Sequence, residues 1–303
     1  MLHSSIDLGT NTCLLLIAEK NQASGEITRT ISDHSKVVKL GQGVDSNRRL
    51  HPDAIHRTLE VLREYARLVK GAGLDPAATL AVATSQARDA ENGAEFFDRV
   101  KQETGFSFKT ISGDEEARLT FLGALLSGMS PQTSVVIDIG GGSTEIISQA
   151  GGQSVDMGSV RFTERYLKSD PVTDEEFWAC QAEIDETLKC FQDWRKKLPP
   201  IFQVIAVAGT ATTLASCYLE LKKFDALRLD QVVLSRGDIH RRVEELKWRS
   251  VAERKALPGI DVARADVLLA GSMILWRIME ILDLPEVRVS TRGLRFGVIL
   301  DFR

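Results

Sequence analysis

The sequence predicts an α/β protein built from two duplicated lobes, on three observations. First, an apolar strand that runs into an aspartate, turns on small residues and leaves as a second apolar strand occurs twice. Residues 4–17 turn at Asp7-Leu8-Gly9-Thr10-Asn11-Thr12, and residues 135–147 turn at Asp138-Ile139-Gly140-Gly141-Gly142-Ser143-Thr144. Second, Asp138 follows Asp7 by 131 positions, a repeat suited to two domains of ordinary size in 303 residues. Third, each hairpin is followed by apolar runs of strand length alternating with amphipathic stretches of helix length.

After the first hairpin, residues 27–31 and 36–40 read as two strands, and Gly41-Gln42-Gly43 as a turn. Pro52 opens a helix with Ile55, Leu59, Leu62, Tyr65 and Val69 on one stripe, ended by Gly71 and Gly73. Residues 79–84 form a buried strand, 94–103 a helix, and 108–111 a short strand leading to Ser112-Gly113-Asp114-Glu115-Glu116. A helix over 114–126 carries Leu119, Leu122 and Leu126 on one face and connects the lobes. Beyond the second hairpin, Thr173 and Glu176 have capping-box spacing ahead of a long helix with Phe177, Ile184, Leu188, Phe191 and Leu198 on its stripe. Residues 204–208 are a buried strand that meets Gly209-Thr210 and runs into a helix. Residues 262–282 form an apolar helix, 287–290 a last strand and 293–301 a final helix. The lobes are expected at 1–122, with 293–303 packing back, and at 123–292.

Hydrophobic content of 43% and charged content of 26% are those of a soluble globular protein. The apolar stretch 267–276 is too short to span a bilayer, and the first residues lack a signal-peptide layout. A cytoplasmic setting without a membrane partner is expected. Cys13, Cys180, Cys190 and Cys217 show no ligand spacing and read as free thiols, and the five histidines form no metal pattern. A net charge of −4 argues against a DNA partner. The basic residues of 236–255 alternate with acids, which favours a solvated helix face over a polyanion track.

Chemistry concentrates at the turns. Glycine lets backbone N–H groups approach an anion closely, and consecutive amides make a nest for it. Gly9, Thr10 and Asn11 in the first turn, with Gly140, Gly141, Gly142, Ser143 and Thr144 in the second, are therefore phosphate-binding candidates. Asp7 and Asp138 end their strands where a carboxylate holds Mg²⁺ directly or through water, because Mg²⁺ is usually held by one or two carboxylates plus phosphate oxygens. Glu145 is a further candidate for metal or water, level with its reading as a solvent-facing strand residue. Gly209 and Thr210 start a helix, where free N–H groups attract phosphate, or where Thr210 simply caps it. Arg88 is expected in a loop beyond a strand end, where it reaches phosphate or, by default, is a surface arginine. The acids 114–116 suit a helix N-terminus, with Ser112 and Glu115 in capping-box spacing. That reading uses Glu115, leaves Glu116 unassigned, and stands ahead of a catalytic one on these residues alone.

Taken together, the chain resembles the exopolyphosphatase / guanosine pentaphosphate phosphohydrolase (Ppx/GppA) family, in its short two-domain form. The resemblance rests on the two turns, Val38-Lys39-Leu40-Gly41-Gln42-Gly43, Ala83-Thr84-Ser85-Gln86-Ala87-Arg88 and Ile111-Ser112-Gly113-Asp114-Glu115-Glu116-Ala117-Arg118-Leu119. It continues in Met157-Gly158-Ser159-Val160-Arg161, the run from Ala208 to Ala215, and Pro258-Gly259-Ile260-Asp261 with Arg264-Ala265-Asp266. It implies two actin-like (ribonuclease H-like) lobes around an interdomain cleft, and metal-assisted hydrolysis of the terminal phosphoanhydride of polyphosphate. By the family's motif Glu116 is the catalytic base, Asp138 and Glu145 the metal and water-positioning acids, and Arg88 the phosphate arginine. Mg²⁺ or another divalent cation is the implied cofactor and a homodimer the family expectation. Guanosine penta- or tetraphosphate is the alternative ligand, as substrate of a pppGpp 5′-phosphohydrolase or as signal of a non-catalytic sensor, and a small-molecule kinase is the rival within the superfamily. One departure is Gly293-Leu294-Arg295-Phe296-Gly297, where the family often carries glutamate in place of Phe296.

Overall fold

The computed structural model describes residues 1–196, 198 and 202–302. The side chain of Gln86, and Arg303, lie outside the described residues. The chain divides into two compact units, Met1–Gly123 with Gly293–Arg303, and Ala124–Arg292.

The first unit runs β1 (Leu2–Leu8), β2 (Thr12–Lys20), β3 (Ile27–Val37), α1 (Val44–Asn47), α2 (Pro52–Gly71), β4 (Leu80–Ala83), α3 (Ser85–Asp89), α4 (Gly93–Thr104), β5 (Phe108–Thr110) and α5 (Gly113–Ala124). Its sheet has the order β3-β2-β1-β4-β5, antiparallel through β1–β3 and parallel from β1 to β4 and β5. The two strands expected over 27–40 are one edge strand, β3, paired with β2 through two register shifts. An edge strand exposes one side to water, so the polar run around His34 and Ser35 does not break it. Pro52 stands at the start of α2, where its missing N–H costs nothing, and His51 Nδ1 accepts from Asp53 N (3.2 Å). The stripe of α2 buries Leu59, Leu62, Tyr65 and Val69 against Ile6, Leu8 and Leu15, and the Tyr65 hydroxyl donates to Cys13 O (2.9 Å).

The C-terminal helix, Leu294–Asp301, belongs to this unit. Phe296 and Ile299 pack on Leu16 and Ala18, so the departure from the family glutamate puts a core side chain at 296. Arg295 forms a bidentate pair with Asp33 (2.8 and 2.7 Å), and Lys20 Nζ donates to the carbonyls of Ile299 and Leu300 (3.0 and 2.9 Å). A Cβ at Gly297 would lie 1.8 Å from Leu119 O, and one at Gly123 only 2.1 Å from Gly293 O. This backbone contact corrects the expected leucine stripe of α5: Leu119 is buried, whereas Leu122 is exposed.

The second unit contains β6 (Ser134–Ile139), β7 (Thr144–Ser148), β8 (Gly151–Val155), α6 (Ser159–Tyr166), α7 (Asp174–Leu188), α8 (Gln192–Arg195), β9 (Gln203–Val207), α9 (Ala208–Tyr218), α10 (Ala226–Leu229), β10 (Val233–Ser235), α11 (Arg236–Lys247), α12 (Val251–Lys255), α13 (Leu268–Ile281) and β11 (Glu286–Val289). Its sheet order is β10-β11-β9-β6-β7-β8. Read from β8 inward, this repeats the first unit: three antiparallel strands, then two parallel to the first of them, with β10 added at the edge. Two units of one ribonuclease H-like topology are the actin-like α/β fold. Thr173 and Glu176 make the capping box in both directions (3.2 Å each). The helix they start is shorter than expected. It passes into a 3₁₀ turn at Lys189–Phe191 before α8. Likewise Val262–Arg264 is a 3₁₀ turn with Val262 exposed, and only Leu268–Ile281 forms the buried helix.

Candidate active site

The expected site residues divide between the two units. In the first, they gather at the carboxyl ends of three neighbouring parallel strands, the edge where open α/β sheets bind ligands. Asp7 lies near the end of β1. Gly9 N donates to Thr12 O (2.9 Å), closing the turn, and Asn11 O accepts from Val38 N and Lys39 N (2.9 and 3.0 Å). Gly41 N donates to Thr10 O (2.8 Å), and Arg57 Nε from α2 donates to Val38 O (3.1 Å). Segment 38–41 thus holds the turn from behind, with Lys39 in the left-handed region (φ 50°). The hydroxyls of Thr10 and Ser85 lie 3.2 Å apart, tying β1's turn to α3. Asn11 is 4% exposed, and neither its amide oxygen nor its amide nitrogen has a hydrogen-bond partner among the described residues. A buried group left unpaired costs about 1–3 kcal/mol, which makes this amide a candidate ligand contact.

Arg88 was expected in a loop, but it lies on the short helix α3. Its Nη1 donates to Ile111 O (3.1 Å), one residue beyond β5, and Glu116 N donates to Ser112 O (2.9 Å). Consecutive residues 111 and 112 therefore position the arginine and the candidate base. The capping box there is half formed. Ser112 Oγ accepts from Glu115 N (3.2 Å), but the Glu115 carboxylate pairs with Lys109 Nζ (2.6 Å) instead of reaching back. Glu116 is buried in the first turn of α5.

In the second unit, Asp138 and Glu145 are direct cross-strand partners on β6 and β7. Directly opposed residues share one face with Cβ atoms about 4.5–5.5 Å apart, so the two carboxylates stand together. Glu145 is 1% exposed, which removes its reading as a solvent-facing residue. Ser154 on β8 donates to Glu145 Oε1 (2.6 Å), a contact that sequence reasoning missed and that only the β7–β8 register reveals. Among the described residues no group of three or more His, Cys, Asp or Glu could hold a metal ion. An acid pair alone still fits Mg²⁺, which completes its shell with phosphate oxygens and water.

The glycine turn is shaped by α6. Ser159 N donates to Gly140 O (2.9 Å), and Val160 N and Arg161 N to Gly141 O (2.9 and 3.0 Å). Arg161 Nε donates to Gly142 O (2.8 Å). Across a trans peptide the N–H points opposite to the C=O. With three successive carbonyls turned toward residues 159–161, the N–H groups of Gly141, Gly142 and Ser143 face the other way. Gly158 is required here, since its Cβ would lie 2.3 Å from Gly141 O. Thr144 is bound inward, its hydroxyl donating to Met157 O.

At the second expected helix start, α9 begins at Ala208 with φ 65°, and Val207 is the N-cap. Thr210 is therefore a buried first-turn residue, not a cap. A Cβ at Gly209 would lie 1.7 Å from Arg264 Nη1, so Gly209 is the space into which that guanidinium fits. Burial pushes the Arg264 pKa down, opposed by the nearby Asp261 carboxylate. Arg264 was read only as part of a motif, without a role; the close approach at Gly209 is visible only in the fold. The basic segment 236–255 is a mixed-charge surface, with Arg236 near Glu280, Arg242 and Arg249 on Glu245, and Lys247 on Asp174.

Comparison with known proteins extends this. The Ppx/GppA phosphatase family matches residues 16–302. The chain is 32% identical over 312 residues to the bifunctional 3-dehydroquinate synthase/phosphatase of Fusobacterium nucleatum, covering 99% of this chain but 46% of that protein. It is 31% identical to exopolyphosphatase 2 of Mycobacterium tuberculosis, covering 98% of this chain and 97% of the relative. Among solved structures, an exopolyphosphatase-like protein superposes with a TM-score of 0.89 at 30% identity (99% and 98% of the two chains). The Aquifex aeolicus PPX-GPPA enzyme does so at 0.79 and 32% (100% and 99%). Among the described residues no helix is long and apolar enough to cross a membrane.

Proposed function

We propose that this chain, which belongs to the Ppx/GppA phosphatase family and is a hydrolase of that kind, removes the terminal phosphate of inorganic polyphosphate. The reading is carried by the glycine turn, whose three N–H groups face one way because residues 159–161 hold the three opposing carbonyls. Phosphoryl transfer spreads charge over equatorial oxygens, and preoriented donors aimed at that charge are its main electrostatic requirement.

The roles follow from the residue types. Gly140, Gly141, Gly142, Ser143 and Thr144 form one cradle; Gly9, Thr10 and the Asn11 amide form another. Gly209 and Thr210, over the buried Arg264 cation, add to the pull on phosphate oxygens. Arg88, steadied at Ile111 O, binds a phosphate. Asp138 and Glu145 would hold a divalent cation, with Asp7 as the remaining candidate, and such a cation would neutralise phosphate charge. Glu116 orients the attacking water and takes its proton, leaving the departing chain to accept a proton from solvent. A cytoplasmic homodimer is part of the same reading.

Phosphate release from long-chain polyphosphate, pppGpp and ATP, compared at equal end-group concentration with divalent cation present, tests it. Preferential release from polyphosphate is expected. Preference for pppGpp would move the assignment to a pentaphosphate phosphohydrolase. Binding of guanosine phosphates without release from any of the three would overturn it in favour of a sensor.

A further inference from the structure

The carbonyls of the glycine turn are not all held in the same way. Those of Gly140 and Gly141 accept from backbone N–H groups in the first turn of α6, which the helix supplies whatever its side chains, and the Ser159 hydroxyl adds a second, longer bond to Gly140 O (3.2 Å). Gly142 O accepts instead from a side chain, Arg161 Nε at 2.8 Å. Arg161 is 7% exposed, with Asp156 3.7 Å from its Nη2 as a countercharge. Burying a guanidinium is costly, and here its Nε is directed at a main-chain carbonyl.

Glycine at 142 makes that carbonyl the weak point of the turn. A peptide flip rotates ψ of residue 142 and φ of residue 143, and glycine tolerates both orientations. A flip would carry the Ser143 N–H to the α6 side and remove it from the row formed with Gly141 and Gly142. None of these three N–H groups donates to backbone among the described residues, so the row is available to an anion.

We propose that Arg161 is a positioning residue of the anion-binding turn: it locks the Gly142–Ser143 peptide so that the Ser143 N–H faces the same side as those of Gly141 and Gly142. This inference rests on the proposed phosphohydrolase function for its effect on rate, but not for its effect on the turn. Arg161 acts through the peptide and touches no reacting atom. Removing the Nε donor leaves two amides in place and frees the third.

The test titrates inorganic phosphate into ¹⁵N-labelled wild-type protein and Arg161→Met, following the backbone amide signals of Gly141, Gly142 and Ser143. All three should shift in the wild type. In the variant the Ser143 response should be lost while those of Gly141 and Gly142 persist, a pattern that general destabilisation does not produce. In parallel, kcat/KM for polyphosphate should fall about 10- to 100-fold, mostly in kcat, since the lost donor matters most to charge in the transition state. Arg161→Lys keeps a cation able to meet the carbonyl and should recover part of both readouts. It also carries the comparison if the methionine variant does not fold. An unchanged Ser143 response with kcat/KM within about twofold of wild type would overturn the proposal, as would equal loss of all three responses. Absence of phosphate release by the wild type would count against the proposed function alone, because the amide pattern is scored without turnover.

Discussion

Ser154 Oγ donates a 2.6 Å hydrogen bond to Glu145 Oε1 from the register position directly opposite it on the neighbouring strand. Glu145 is almost fully enclosed, so this hydroxyl orients one oxygen of a carboxylate that water barely reaches. Ser154→Ala deletes the donor and leaves the acceptor buried, which costs about 1–3 kcal/mol. Initial-rate phosphate release should fall about tenfold, and Ser154→Thr, which keeps the hydroxyl, should retain most of the activity. Equal activity in the alanine variant would remove Ser154 from the site.

Gly209→Ala tests the seating of Arg264. The new methyl would overlap the guanidinium, whose Nη1 lies 1.7 Å from the Cβ position, so the arginine must leave its place under the turn. Polyphosphate turnover should fall at least tenfold, the scale of a lost electrostatic contact at a phosphoryl site. Gly209→Ala combined with Arg264→Ala relieves the overlap and should melt higher than Gly209→Ala alone, while activity stays low. Melting curves and initial rates on the two variants give the answer.

Gly297→Ala addresses the frame of the first unit. Its Cβ would stand 1.8 Å from Leu119 O, a backbone atom that yields only if the C-terminal helix moves away from α5. Overpacking of this kind costs about 1–3 kcal/mol or more, so a drop in melting temperature of several degrees is expected. Gly71→Ala, with open space around the added methyl, should show no such drop. Scanning calorimetry distinguishes them.

The thiols should separate by burial. Cys190 is exposed, whereas Cys13, Cys180 and Cys217 are buried and free. Burial pushes the Cys180 thiol up to about 12 and Cys217 to about 11, and holds Cys13 well above its ordinary value with the Asp7 charge adding to the effect. Iodoacetamide at pH 8 should therefore label Cys190 alone in the folded protein, as peptide mass spectrometry would show. Linkage gives a sign for stability too. Between about pH 9 and 12 the folded state keeps protons that the unfolded thiols release, so stability falls as pH rises through that window. Cys217→Ala should make the alkaline decline shallower in denaturant titrations at pH 8, 9 and 10.

Much of this was legible from the residues alone. Strand–aspartate–glycine repetition pointed to two lobes of one topology, because the turn chemistry and the apolar strands are local. The capping box at Thr173 was readable for the same reason. What escaped depends on register and long-range contact. Ser154 reads as an ordinary strand serine until β8 is placed beside β7. Arg264 and Gly209 are 55 positions apart and meet only through the packing of the 3₁₀ turn against α9. Glu115 had the spacing for a reciprocal cap, but the Lys109 ammonium offered its carboxylate a stronger partner. The edge strand β3 was split in two because its polar stretch mimics a turn when the neighbouring strand is not known. Phe296 was flagged as a lost carboxylate, and its burial against Leu16 and Ile299 explains why an apolar ring suits that position.

The most direct test is the polyphosphate turnover of Glu116→Gln, a near-isosteric change that removes the basic oxygen at the start of α5. General-base help is typically worth about 10²–10⁴ in rate, so kcat should fall by that much while the melting temperature stays within a few degrees of wild type. A folded Glu116→Gln protein that releases phosphate within about twofold of the wild-type rate would contradict the assignment of Glu116 as base, and with it the proposed mechanism.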